Sequence, residues 1–201
     1  RDFHGPAKRI FMKTEEEFLE IDQWPGITVK NGKVIAIDWD GSLNTSLAEA
    51  GTIHFDHLPN SVEVVSITNC HLEGEINTHT LPRRLRTLNI AGNRLSGKFS
   101  LEHLPPALET LRIGHNRFSG LLSFSHLPET LTCLSAEHND FEGDVDLSRI
   151  PKALKTLNVC SNRFAGRLIL GSAMDHLKEL RVENNLLQKE VWKVYRVNDS
   201  L

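Results

Sequence analysis

The sequence is poor in cysteine, in long apolar runs and in charge of one sign, and each shortage removes a class of protein. Only three cysteines occur in 201 residues: Cys70, Cys133 and Cys160, odd in number and widely spaced. Small secreted scaffolds staple themselves with paired cysteines, so this pattern favours a reducing, intracellular compartment. No apolar stretch reaches the ~20 residues of a membrane span, and no charged start with an apolar core marks a secretory signal. With 23 Lys and Arg against 26 Asp and Glu, the formal net charge is −3. There is no global basic field to gather nucleic acid or anionic lipid, and a nucleic-acid role would need a local patch or a place in a larger assembly.

Catalytic signatures are scarce as well. The chain holds no Gly-rich phosphate loop, no HExxH and no GxSxG elbow. Cys133 and Cys160 are expected beside His138, but a thiol near an imidazole on a flat sheet lacks an oxyanion pocket. A non-enzymatic protein is expected, with no cofactor and no small-molecule substrate.

What the sequence has in abundance is repetition. Leu58-Pro59, Leu81-Pro82, Leu104-Pro105, Leu127-Pro128 and Ile150-Pro151 succeed one another at intervals of 23 residues without a slip. Apolar triplets keep the same offsets: Leu85, Leu88 and Ile90 recur as Leu108, Leu111 and Ile113, and so on to Leu177, Leu180 and Val182. Each triplet reads as a short strand. Three residues later stands Asn93, Asn116, Asn139, Asn162 or Asn185, with Cys70 in the first regular unit. A buried Asn there can satisfy the peptide groups that a bending chain leaves unpaired. A Phe or Leu, a Gly and a further apolar residue complete the unit, as in Phe118, Gly120 and Leu122.

The unit LPxxLxxLxIxxNxFxGxΦ resembles the leucine-rich-repeat superfamily, and its tail is similar to the plant-type class, also found in flagellated protists. The resemblance spans about residues 24 to 191 and implies an α/β-type repeat solenoid. Its parallel β-sheet would line the concave face, and its convex side would be short irregular or β segments. Function is left open by it, because the matching residues are those that build the core. Trp24-Pro25-Gly26-Ile27 and the turn-forming Asn31-Gly32 resemble the amino-terminal cap of such proteins.

This divides the chain into an N-terminal extension over 1–13 and a cap helix with the first repeat over 14–57. Regular repeats occupy 58–187, and a C-terminal cap or tail 188–201. The capping box Thr14 to Glu17 predicts a short helix over 14–22. From Val34 to Val62 is 28 residues, so the first unit carries five extra, placed in Asn44 to Gly51. The tail, with Trp192 and Tyr195, should close the open end of the core.

Function is expected where side chains leave the core. Between the strand Leu positions, one column runs Asp38, Ser66, Asn89, Arg112, Ser135, Asn158 and Arg181. Asp40, Glu137 and Glu183 stand in the column beside it, and His115 and His138 directly precede the Asn ladder. These twelve are the candidate partner-binding residues, a small, polar surface suited to a protein held by hydrogen bonds and a few charges. Ten histidines raise a metal reading, since His115 and His138 are in register, as are His103 and His126. A site also needs a convergent third ligand, so no metal is expected.

Two readings remain open: a module that binds another protein or protein complex, or a subunit of a large assembly anchored through its termini. A secreted or surface receptor fragment is weakened by the cysteine pattern, although Asn44-Thr45-Ser46 is an acceptor sequon. The chain begins at Arg1 rather than Met. Read as processing, that admits a mitochondrial or plastid address after removal of a targeting segment, but a cut made for any other reason explains the same fact.

Overall fold

The computed structural model of the protein describes residues 20–42, 51–188 and 193–194. A fixed 23-residue period lays each short strand beside the one before it, and the result is an eight-stranded sheet. The sheet begins with a hairpin, Ile27–Lys30 antiparallel to Lys33–Asp40. Asn31 and Gly32 join its strands with φ of 50° and 68°, the left-handed pair that a two-residue turn of this kind requires. Val64–Thr68, Thr87–Asn89, Thr110–Arg112, Cys133–Ser135, Thr156–Asn158 and Glu179–Arg181 then add in parallel, in chain order.

Register is kept throughout. Asp38 pairs with Ser66, and the row continues through Asn89, Arg112, Ser135, Asn158 and Arg181. The column expected from the 23-residue spacing is therefore a physical row across the sheet.

Two further parallel sheets lie on the return path of the chain. One has five strands: Gly51–Thr52, Leu72–Gly74, Arg94–Lys98, Arg117–Leu121 and Asp140–Glu142. The other has three: Val145–Leu147, Leu168–Leu170 and Lys193–Val194. The Gly of the repeat serves the five-stranded sheet. Gly97 and Gly120 take φ of 81° and 86°, values that an L side chain rarely adopts. Each Leu-Pro step turns the chain back toward the next concave strand, with the Pro carbonyl accepting from the N–H three residues on, as in Leu108 to Pro105 at 3.0 Å.

The core fills the space between the sheets. Leu85, Leu88, Leu108, Leu111, Leu131, Leu134, Leu154 and Leu157 are fully buried, each contributing about 2–3 kcal/mol from burial. Phe99, Phe118 and Phe141 form a spine, with ring centroids 5.1 Å and 6.4 Å apart along it.

The Asn ladder holds the turn off each strand. Asn116 Oδ1 accepts from Leu95 N at 3.0 Å, while Nδ2 donates to the carbonyls of Ile90, Ile113 and Gly114. Asn93, Asn139, Asn162 and Asn185 repeat this pattern. Cys70 fills the first rung more weakly, its thiol donating to Thr68 O at 3.1 Å. Burial pushes that thiol's pKa up.

At the ends the structure departs from expectation or stops short of it. The predicted helix over 14–22 falls mostly outside the described residues, and near its expected end stands a 3-10 turn over Ile21–Gln23. That turn stops at Trp24, which is extended because Pro25 disfavours the helical region for the residue before it. The extension over 1–13 lies outside the described residues, as does most of the tail; of the segment Asn44 to Gly51 assigned the extra residues, only Gly51 is described, at the start of a strand of the five-stranded sheet. Lys193–Val194 does pair with Ile169 and Leu170, so the tail's described part extends the three-stranded sheet. Leu177, Leu180, Val182 and Leu187 are half-buried, and Leu186 is 70% exposed, so the last unit is less enclosed than those before it.

Candidate functional site

Alternate residues of a strand point to opposite faces, so each Leu at the middle of a concave strand sends its two neighbours outward. These outward residues line a shallow trough of about 720 Å³ that spans six of the parallel strands. Its floor is low where the side chains are smallest, at Ala91 and Gly92. A Cβ on Gly114 would come within 2.6 Å of the Glu137 carboxylate, which lies back over it and accepts from Ser135 Oγ at 2.5 Å.

Charge in the trough is sparse. Arg112 is exposed on the central row, and among the described residues no carboxylate lies within ion-pair distance of it. Asn89 and Asn158 flank it on the same row. Each turns its Oδ1 to the backbone N–H two residues ahead, Ala91 at 3.3 Å and Cys160 at 3.1 Å.

The residue before each ladder Asn forms a further row. Asn69, His115, His138, Ser161 and Asn184 all have φ between 52° and 55°, and Gly92 has 71°. This left-handed conformation is disfavoured for most L residues and tolerated best by Gly, Asn, Asp and His. His115 and His138 stack across adjacent repeats with ring centroids 4.3 Å apart and planes 21° apart.

The sequence model of the family described as Leucine Rich Repeat matches residues 84–104. The crystal structure of a pollen receptor kinase 3 superposes with a TM-score of 0.63 at 23% identity, covering 82% of this chain and 81% of that one. The chain has the leucine-rich-repeat fold. No curated protein sequence matches it. This repeat protein is also similar to the ectodomain of the Arabidopsis receptor kinase HAESA, solved with an N-terminally extended IDA peptide hormone ligand. The TM-score there is 0.56 and the identity 28%, covering 68% of this chain and 24% of that one. A plant peptide hormone receptor, RGFR1 in complex with RGF2, gives 0.50 at 20% identity, with coverages of 68% and 27%. The repeat protein thus spans about a quarter of each of those two chains.

Of the twelve residues singled out in the repeat protein, six line the trough: Asn89, Arg112, His115, Ser135, Glu137 and Asn158. Ser66 continues the row beyond its rim, and His138 borders it through the stack on His115. The end charges are engaged locally. Arg181 Nε donates to Glu183 at 2.9 Å, and hydrogen bonds from its own backbone and from Arg181 hold the Glu183 carboxyl below the usual carboxylate range. Asp40 accepts from the hydroxyl and N–H of Ser42 and from Asn69, which lowers its pKa too. Asp38 sits on the hairpin strand at the start of the row, exposed.

Among the described residues, no group of histidines converges on an ion. Stacked imidazoles face one another with their ring planes, so the in-plane lone pairs of His115 and His138 run nearly parallel. His103 stacks on His79 at 3.6 Å, a pairing between different repeat offsets, and His126 Nδ1 lies 2.8 Å from Ser125 Oγ. Sequence reasoning misses three things here: the His79–His103 stack, the left-handed row and the donor-outward setting of Asn89 and Asn158. The second has a signal, since a column reading Asn, Gly, His, His, Ser, Asn favours that conformation.

Proposed function

We propose that the protein is a non-catalytic interaction module whose concave trough binds a segment of another protein. The observation that carries this reading is the central row. Seven residues held in register by the sheet present small polar groups and, at Arg112, a guanidinium outside every ion pair of the described residues, while the buried Leu and Phe residues build the core. Such a row adds nothing to core packing and offers evenly spaced hydrogen-bonding groups to a partner. The likeness to the HAESA ectodomain, solved with a peptide hormone ligand, supports a peptide or protein partner in general terms. The odd number and wide spacing of Cys70, Cys133 and Cys160 are the ground for assigning the module to a reducing, intracellular compartment.

The test is capture from cell extract with the wild-type chain beside Arg112→Glu, with melting curves of both. Loss of the partner by the variant at unchanged melting temperature supports the trough. Equal capture by both transfers the interface elsewhere, as a subunit anchored by its termini would require.

A further inference from the structure

Resting on the reading of the trough as the binding face, we infer that it selects an acidic, acceptor-rich segment of extended polypeptide, seated with a carboxylate on Arg112. The reason lies in how the row is oriented. A backbone N–H can only donate, so the side-chain atoms facing Ala91 N and Cys160 N must be the oxygens of Asn89 and Asn158. That spends the acceptor of each amide and leaves its NH2 outward. Arg112, between them, has donors and no acceptor. The central row of the trough therefore runs donor, cation, hydroxyl, donor from Asn89 through Arg112 and Ser135 to Asn158.

The spacing fits a chain. Neighbouring rungs lie about 4.8 Å apart, so Asn89 stands one rung and Asn158 two rungs from Arg112, about 14 Å in all. An extended polypeptide covers that in about four or five residues. Its carbonyls accept from the two amides while one Asp or Glu side chain meets the guanidinium, and the unequal spacing sets which way the segment runs. Absence of aromatic side chains other than His115 among the lining residues agrees with a polar occupant. Glu137 opposes the carboxylate, and its bond to Ser135 over Gly114 turns it aside. Glu179 lies three rungs from the strand that carries Arg112.

A randomised decapeptide display library, selected on the full chain, tests this. Expected is enrichment of Asp or Glu at one fixed position of the recovered peptides. Synthetic copies should lose roughly tenfold or more in affinity when that residue is made Asn or Gln. Arg112→Glu should shift the enrichment to Lys or Arg at the same position, Glu137→Gln should tighten the acidic peptides, and Asn158→Asp, which keeps the acceptor for Cys160 N–H and turns the outward donor into an acceptor, should weaken them at unchanged melting temperature. Peptides that depend on Arg112 yet show no acidic preference overturn the inference and leave the trough standing as a binding face. Peptides bound equally by the wild type, Arg112→Glu and Asn158→Asp overturn both. Recovery of no peptide overturns the inference.

Discussion

Asn116 shows how much one side chain can hold in this architecture. Its amide closes one N–H and three carbonyls from two adjacent repeats, and Asn116→Ala leaves those groups buried without partners, a loss of about 2–4 kcal/mol. Urea unfolding of the variant checks it. Asn116→Asp carries a sharper signature. A carboxylate facing three carbonyls has its folded pKa raised above the unfolded value, so its stability contribution is present at low pH and lost as pH rises through the folded pKa. The unfolding midpoint of this variant should therefore approach that of the wild type on acidification. His115, at φ 54°, tests the left-handed row. Val at that position should cost about 1–2 kcal/mol, and Gly or Asn should be tolerated. A Val variant as stable as wild type would contradict the assigned backbone. The ladder is legible in the sequence because Asn recurs at one offset; the left-handed row is harder to read because several residue types share that conformation.

Between elements, the contacts that join one repeat to the next are aromatic inside and ionic outside. Phe118 is fully buried between Phe99 and Phe141, and Phe118→Ala should cost about 3–5 kcal/mol in a thermal or urea melt. On the outside, Asp144 accepts from both the N–H and the guanidinium of Arg167 in the next repeat, which holds its carboxyl below the usual carboxylate range. A carboxyl with a depressed folded pKa stabilises above its unfolded pKa and loses that contribution as pH falls through the folded value. The stability gap between wild type and Asp144→Asn should hold at neutral pH and close below the ordinary carboxyl range. The concave strands are legible from alternation between fixed Leu positions. The five-stranded sheet is not, since Arg94–Lys98 and Arg117–Leu121 carry one buried apolar residue and a Gly each, and their pairing arises only once the repeats are stacked.

At the scale of the whole molecule, a 23-residue period determines where every outward residue lies, because neighbouring repeats pair at equivalent positions. That is why the row from Asp38 to Arg181 is readable from the sequence, while its division into an open centre and locally paired ends is not. Pairing of Arg181 with Glu183, and of Asp40 with Ser42 and Asn69, depends on rotamers that no spacing encodes. The fold itself is indifferent to Arg112, which is exposed and outside every ion pair of the described residues, so its substitution should leave stability nearly unaltered. Whether this row touches a partner is tested most directly by site-specific photo-crosslinking. A photoreactive residue placed at Ser135 in the trough, and separately at exposed Ser125 on the return path of the chain, is irradiated in cell extract. A binding trough predicts a discrete adduct from Ser135 that Arg112→Glu abolishes, and none from Ser125. Adducts from Ser125 alone, or a Ser135 adduct unchanged by Arg112→Glu, would contradict it.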